Sequence, residues 1–265
     1  NVNGVYERVT KWSDQLREAK DIKRLLRTAF QVATSGMPGP VHLDLPKDLI
    51  KQPVEVESTD LSLAGGRSAF VANTPRPDPE AVERACRLLA GAGHPVILAG
   101  RGVIWSKATD QLVELAERLA VPVVTSEMGR GAISEDHPLC FGIAGHFGRS
   151  TANEALRRAD VVLGLGSRFL NVNTINWSLI PKEAKIVQVE SDPLEVGRQY
   201  AVEVGTVADS GAFLADALTF CKSEGLEDER GAEHPRVKSL AALHAAETKK
   251  FYDTDMDAVP VKPQV

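Results

Sequence analysis

Residues 159–169 read Ala159-Asp160-Val161-Val162-Leu163-Gly164-Leu165-Gly166-Ser167-Arg168-Phe169. A short, nearly continuous apolar run ends in two glycines and then an arginine. Such a run suits a parallel strand covered on both faces. Gly164 and Gly166 remove side chains where another backbone or a ligand must come close. In open α/β sheets ligands lie beyond the carboxyl ends of the strands. Arg168 is therefore expected at that edge, where its planar fork suits a phosphate. Read more plainly, the stretch is a strand, a turn and a surface arginine.

The same pattern recurs outward from this strand. Asp78-Pro79-Glu80 is a helix start: a capping carboxylate, a proline in the first turn and an acid at the positive helix end. Strands are expected at 95–100, 121–125, weakly at 141–145, then at 185–190 and 204–209. Helices are expected around Leu112 to Leu119, over about 151–158 and after Asp209. Asp192-Pro193 repeats the cap-and-proline start. Alternation of this kind makes a parallel sheet with helices on both faces. The fold class is α/β, a six-stranded doubly wound parallel sheet with an amino-terminal helix–strand remnant of a neighbouring domain.

The expected boundaries are 1–50 for that remnant, 51–77 for a proline- and glycine-punctuated linker, 78–222 for the main domain and 223–265 for a second linker. In the remnant, Ile22, Leu25, Leu26, Ala29, Phe30 and Ala33 form one helical stripe. Val41 to Leu45 alternates like a strand that Pro46 stops. One helix and one strand cannot close a core, so a partner segment is expected upstream. The first residue is asparagine, and the chain is expected to begin inside a longer gene product. Residues 222–236 are charged and lack an apolar face, which predicts a flexible link, with a further helix near Leu240 and Leu243.

Composition narrows the function classes. The 265 residues carry 31 basic and 36 acidic side chains, a formal net charge of −5. That balance gives no nucleic-acid footprint. No apolar run approaches the roughly 20 residues of a membrane span. No leader pattern stands at the amino terminus. Cys86, Cys140 and Cys221 are far apart in sequence and form no C-x-x-C pair, which predicts buried thiols in a reducing cytoplasm and no metal site.

No complete G-x-G-x-x-G, Walker lysine, H-E-x-x-H or G-x-S-x-G is present. Several strand ends nevertheless carry glycine or a polar group. Candidate binding residues are Gly100, Arg101, Gly102, Ser126, Gly145, His146, Gly148, Gly166, Ser167, Arg168, Glu190, Asp192 and Asp209. In a doubly wound sheet these tips converge on one crevice. Glycines admit a flat, long ligand, the helix start after Gly148 favours phosphate, and Glu190 or Asp192 offers acceptors to ribose hydroxyls. Individually, Asp192 and Asp209 read as helix caps, Ser167 as a small turn residue and His146 as a loop histidine.

Gly36-Met37-Pro38-Gly39-Pro40-Val41-His42-Leu43-Asp44-Leu45-Pro46-Lys47-Asp48 resembles the G-x-P-G-P-V-x-x-D-x-P-K-D segment that closes the pyrimidine-binding domain of acetolactate synthase-like, thiamine diphosphate-dependent enzymes. Residues 95–209 are similar to the family's central domain at the glycine strand end Gly100, at Gly142, Gly145 and Gly148, at Gly166-Ser167-Arg168-Phe169, and from Asp192 to Gly197. The resemblance implies a cytoplasmic carboligase or decarboxylase of 2-oxo acids, homodimeric or homotetrameric, using thiamine diphosphate and Mg2+ held outside this chain. The activating glutamate lies upstream of the matched segment and the G-D-G…N motif belongs to a downstream domain. No catalytic residue is therefore expected here, and the chain alone is expected to be inactive. In acetolactate synthases the central domain binds FAD, which has no redox part in the main reaction; some relatives hold ADP there and others nothing. The F-D-D-R pattern of many FAD-binding members is replaced by Phe169-Leu170-Asn171-Val172-Asn173. A non-catalytic nucleotide-binding or regulatory module is the alternative.

Overall fold

The computed structural model describes residues 2–54 and 74–252. It divides into two compact units, Asn1–Thr74 and Pro75–Val265.

In the first unit, helices α1 (Val2–Tyr6) and α2 (Ile22–Thr34) accompany strands β1 (Trp12–Gln15) and β2 (Val41–Asp44). The strands pair in parallel, Trp12 opposite Val41 through Gln15 opposite Asp44. β1 is absent from the sequence expectation, because Trp12-Ser13-Asp14-Gln15 lacks an apolar alternation. It is held by polar cross-strand bonds: Gln15 Nε2 donates to Asp44 Oδ2 at 2.8 Å, and Ser13 Oγ lies 3.1 Å from His42 Nδ1. The stripe on α2 buries Leu25 and Ala29 but leaves Leu26 and Phe30 exposed, as expected of a helix whose unit buries only part of its apolar face. The expected linker over 51–77 falls largely outside the described residues.

The second unit begins with α3 (Pro79–Gly91), whose Asp78 side chain accepts from Glu80 N at 3.4 Å. There follow β3 (Pro95–Ala99), α4 (Arg101–Trp105), α5 (Thr109–Arg118), β4 (Val123–Thr125), β5 (Cys140–Ile143), α6 (Ser150–Arg157), β6 (Val161–Leu165), α7 (Asn171–Thr174), β7 (Lys185–Glu190), β8 (Val204–Val207), α8 (Ser210–Ser223) and α9 (Pro235–Tyr252). The six later strands form one parallel sheet in the order β5-β4-β3-β6-β7-β8. The α/β class and six parallel strands agree with the sequence expectation, and the 159–169 stretch supplies a central strand.

The direction in which successive strands are added reverses between β3 and β6, the switch point of such sheets. The connections on the two sides run opposite ways, so right-handed crossovers place α5 and α6 on opposite faces. Accordingly α8 packs on both α3 and α5, and α6 packs on α9. The core between them holds Ile97, Leu98, Leu112, Leu115, Leu163, Phe213 and Leu214, all without measurable exposure.

Two expectations are corrected. Asp192-Pro193 opens a turn rather than a helix: Asp192 Oδ1 accepts from Leu194 N at 2.9 Å, and Gly197, at φ +73°, ends the turn at once. Residues 222–236 are not a free link. Asp228 N donates to Arg118 O at 2.7 Å, and Arg236 is buried with its guanidinium on three backbone carbonyls, Leu119 O at 2.7 Å, Ala92 O at 3.0 Å and Ala120 O at 3.1 Å. These carbonyls lie at the carboxyl ends of α3 and α5, where a cation complements the helix dipole.

Asp228 fastens the same corner. Its carboxylate accepts from Arg230 Nη2 at 2.7 Å and Arg230 Nε at 2.9 Å. The arginine draws the carboxyl down from 3.8 to about 2. A depressed folded value contributes stability that is present above the ordinary value and lost as pH falls through the depressed one. Acid unfolding between about pH 4 and pH 2 is therefore expected to include about 1–2 kcal/mol from this residue, reduced by solvent screening of Arg230. Asp228→Asn should remove that part of the acid limb; an unchanged urea midpoint profile over this range would contradict the assignment.

Candidate functional site at the strand tips

All six strands point their carboxyl ends to one edge. At the switch point the two loops touch backbone to backbone. Gly100 N donates to Leu165 O at 2.9 Å, and Gly102 N to Gly166 O at 3.2 Å. A Cβ on Gly100 would stand 2.1 Å from Gly166 O, and one on Gly166, at φ +58°, would stand 2.5 Å from Gly102 Cα. The spacing predicts a flat ligand against these glycines; in the structure each loop is what the other's glycines admit. The glycines form a closed floor across the switch point.

Above the floor, the β6 turn is held rigidly. A side chain at Gly164 would collide with the Phe169 ring at 2.2 Å, so this glycine makes room for that ring. Phe169 is buried and packs edge-on against Tyr200 at 5.4 Å. Trp177 Nε1 donates to Phe169 O at 2.9 Å. The turn delivers Arg168 to the surface, 35% exposed, with Nη1 3.9 Å from Glu195 Oε1. That is a loose pairing, and Arg198 takes the same oxygen at 2.7 Å. Arg168 thus keeps donors free while a second arginine neutralises the buried Glu195.

Gln188, missed in the sequence, organises this corner. It is buried on β7; its Nε2 donates to Ser167 O at 3.2 Å and Glu195 O at 3.1 Å, and its Oε1 accepts from Gly197 N at 2.8 Å. The available signal is a single polar residue inside the apolar run Ile186-Val187-Gln188-Val189. A buried amide this fully paired fixes loop positions.

The other candidates divide. Glu190, at the tip of β7, accepts from Ser191 N at 2.8 Å and Ser191 Oγ at 3.2 Å. Burial pushes its carboxyl up, with Ser191 and Arg168 opposing. Ser126 and Ser167 are buried. Arg101 stacks over the Trp105 ring at 4.6 Å. Asp209 caps α8 through Gly211 N at 2.9 Å and Ala212 N at 3.0 Å and also binds Ser106 Oγ. Gly145, at φ +108°, exchanges bonds with the Asn153 amide at 2.7 and 3.0 Å. Gly148 N turns back to Gly145 O at 3.2 Å, and His146 is exposed.

The helix start after Gly148 is not open to phosphate. Glu247 from α9 occupies it, accepting from Ser150 N at 2.8 Å, Thr151 N at 3.2 Å and Thr151 Oγ1 at 2.7 Å. Charge and chain geometry explain this: α9 runs from the amino edge, where Arg236 anchors it, to the carboxyl edge, where its carboxylate meets the positive end of α6.

The carboxyl edge is also the apolar edge. Trp105, Met128, Phe147, Leu170, Trp177 and Leu194 are exposed on segments that leave the strand tips, Phe147 at 81%. Such a rim around cationic donors fits a ligand with flat rings and an anionic centre. A small cleft bounded by His94, Pro122, Arg158 and Arg236 lies at the opposite edge, beside the Arg236 anchor. Among the described residues, no cluster of His, Cys, Asp and Glu could hold a metal ion. No described helix is long and apolar enough to cross a membrane.

The family model described as thiamine pyrophosphate enzyme, central domain, matches residues 82–217, about half the chain. A probable acetolactate synthase large subunit of Methanocaldococcus jannaschii is 33% identical over 98% of this chain and 43% of its own length. The acetolactate synthase of Mycobacterium bovis is 34% identical over 84% of this chain and 35% of its own length. The glyoxylate carboligase of Escherichia coli O157:H7 is 33% identical over 100% of this chain and 43% of its own length. The chain spans less than half the length of these curated relatives.

Proposed function

Because this chain belongs to the thiamine pyrophosphate enzymes and carries their central domain, we propose that it is the middle portion of an acetolactate synthase-like carboligase of 2-oxo acids, with FAD lying over its strand tips. Thiamine diphosphate and Mg2+ belong to the adjoining pyrimidine and diphosphate domains of the whole protein. The observation that carries the FAD reading is the coincidence of Arg168, a partly exposed and loosely paired guanidinium, with the exposed apolar rim on one sheet edge. Arg168 would hold the diphosphate, and the rim side chains Phe147 and Trp177 would cover flat rings. Bound there, FAD would supply a rigid organic filling for the edge, with no redox part in the carboligation.

Glu247 and Asp209 are already bonded within the chain and take no part in holding the ligand. A charge-assisted arginine–phosphate bond contributes about 1.5–3 kcal/mol. Arg168→Ala is therefore expected to weaken FAD binding by about tenfold to a hundredfold with little change in stability, and Arg168→Lys to recover only part. Calorimetric titration of FAD and ADP into both proteins tests this. Equal affinities would remove Arg168 from the site, and no binding to the unaltered chain would leave the edge as a purely protein-facing surface.

A further inference from the structure

Cys86 and Cys221, far apart in the sequence, are brought together by the fold. Cys86 lies on α3 and Cys221 in the last turn of α8, and both are fully buried. The two helices pack directly on one another. The Cys86 thiol donates to Ala217 O at 3.8 Å, one helical turn before Cys221, which sets the two thiols close enough to interact. Arg118 at the end of α5 faces Cys221 as well. Its Nη1 is on Glu227 at 3.0 Å, while its Nε is buried with no hydrogen-bond partner in the structure. The two sulfurs are therefore inequivalent. Interaction with Cys86, helped by the Arg118 charge and opposed by burial, draws the Cys221 thiol down. Interaction with Cys221, together with burial, pushes the Cys86 thiol up. Such a pair has an attacking sulfur and a resolving one. Burial pushes the Cys140 thiol, on β5, up, with a backbone hydrogen bond from Gly142 opposing.

We propose that Cys86 and Cys221 form a redox-active dithiol that closes to an intramolecular disulfide when a hydroperoxide reaches it. The Cys221 sulfur attacks one peroxide oxygen; the O–O bond breaks, the alcohol (water, for hydrogen peroxide) leaves with the thiol proton, and Cys221 becomes a sulfenic acid. The Cys86 sulfur then attacks Cys221; the S–S bond forms, the S–O bond breaks, and hydroxide leaves with the Cys86 proton as water. Two thiols are oxidised by two electrons in all, and the peroxide is reduced. Access comes through fraying of the last turn of α8, where the next residues, Lys222 and Ser223, are exposed.

Hydrogen peroxide titration of the full 265-residue chain tests the pair. The expected result is loss of two of its three thiols in one step, a mass lower by two hydrogens, a single cross-linked peptide containing Cys86 and Cys221, and reversal by dithiothreitol. Closing so long a loop should raise the melting temperature by about 10 °C. In Cys86→Ser, Cys221 should stop at a sulfenic acid that dimedone traps. Oxidation of Cys140 ahead of the pair, or conversion of Cys221 to a sulfinic acid without cross-linking in the unaltered chain, would overturn the proposal. So would survival of all three thiols at peroxide concentrations that oxidise glutathione. The mass measurements on the unaltered chain decide the matter even if the serine variant folds poorly.

Discussion

Arg236→Ala is expected to cost about 3–5 kcal/mol of folding stability and to lower the melting temperature by about 10 °C. The guanidinium is buried and satisfies three carbonyls with three different nitrogens. Removing it leaves three acceptors unpaired at the negative ends of two helices and deletes the charge that complements them. The lost α9 anchor adds to this, since Val237 and Leu240 belong to the core beside it. Arg236→Lys keeps the charge but offers one nitrogen where three positions must be met, and should recover less than half of the loss. Urea denaturation followed by circular dichroism measures both. A loss under about 1 kcal/mol for the alanine variant would show that water serves these carbonyls equally well.

The second large effect is expected at Gly166. Gly166→Ala forces a side chain onto a left-handed residue and into the backbone of Gly102 at 2.5 Å. The conformational term is about 1–2 kcal/mol and the overpacking term about 1–3 kcal/mol, occasionally more. A combined loss of about 2–5 kcal/mol is expected, with a variant that expresses poorly. Gly91→Ala provides the contrast. That glycine ends α3 with open space around it, and alanine there should be neutral or stabilising by up to about 1 kcal/mol. If the two variants unfold at the same denaturant concentration, backbone contact at the switch point is not what demands Gly166.

Much of this architecture is legible in the sequence, and particular residues show why. Val161 to Leu165 reads as a buried strand because a strand covered on both faces has no polar alternation. Asp78-Pro79-Glu80 reads as a helix start because capping is a local matter. β1 is hidden because its pairing with β2 rests on side chains from a distant segment. The Asp192-Pro193 turn is misread because its local signal is overruled by Gly197 and the Gln188 amide. The site divides along the same line. Arg168 is visible because a short motif delivers it. Gln188, Glu195 and Arg198, which set how freely it is presented, meet only once β7 is laid beside β6. The occupation of the α6 start by Glu247 is likewise a contact across 96 residues of chain.

The glycine floor at the switch point separates two properties that many sites entangle. Because it is main chain packed on main chain, with the Ser210 hydroxyl against Gly102 and Gly166, side-chain exchange at the rim leaves its shape alone, whereas exchange within it is costly. If FAD binds there as proposed, what the edge prefers as a guest is set by Arg168, Phe147, Trp177 and their neighbours, residues that contribute little to the core. Retargeting the edge toward a different cargo becomes a matter of repainting its border, with the chassis beneath left untouched.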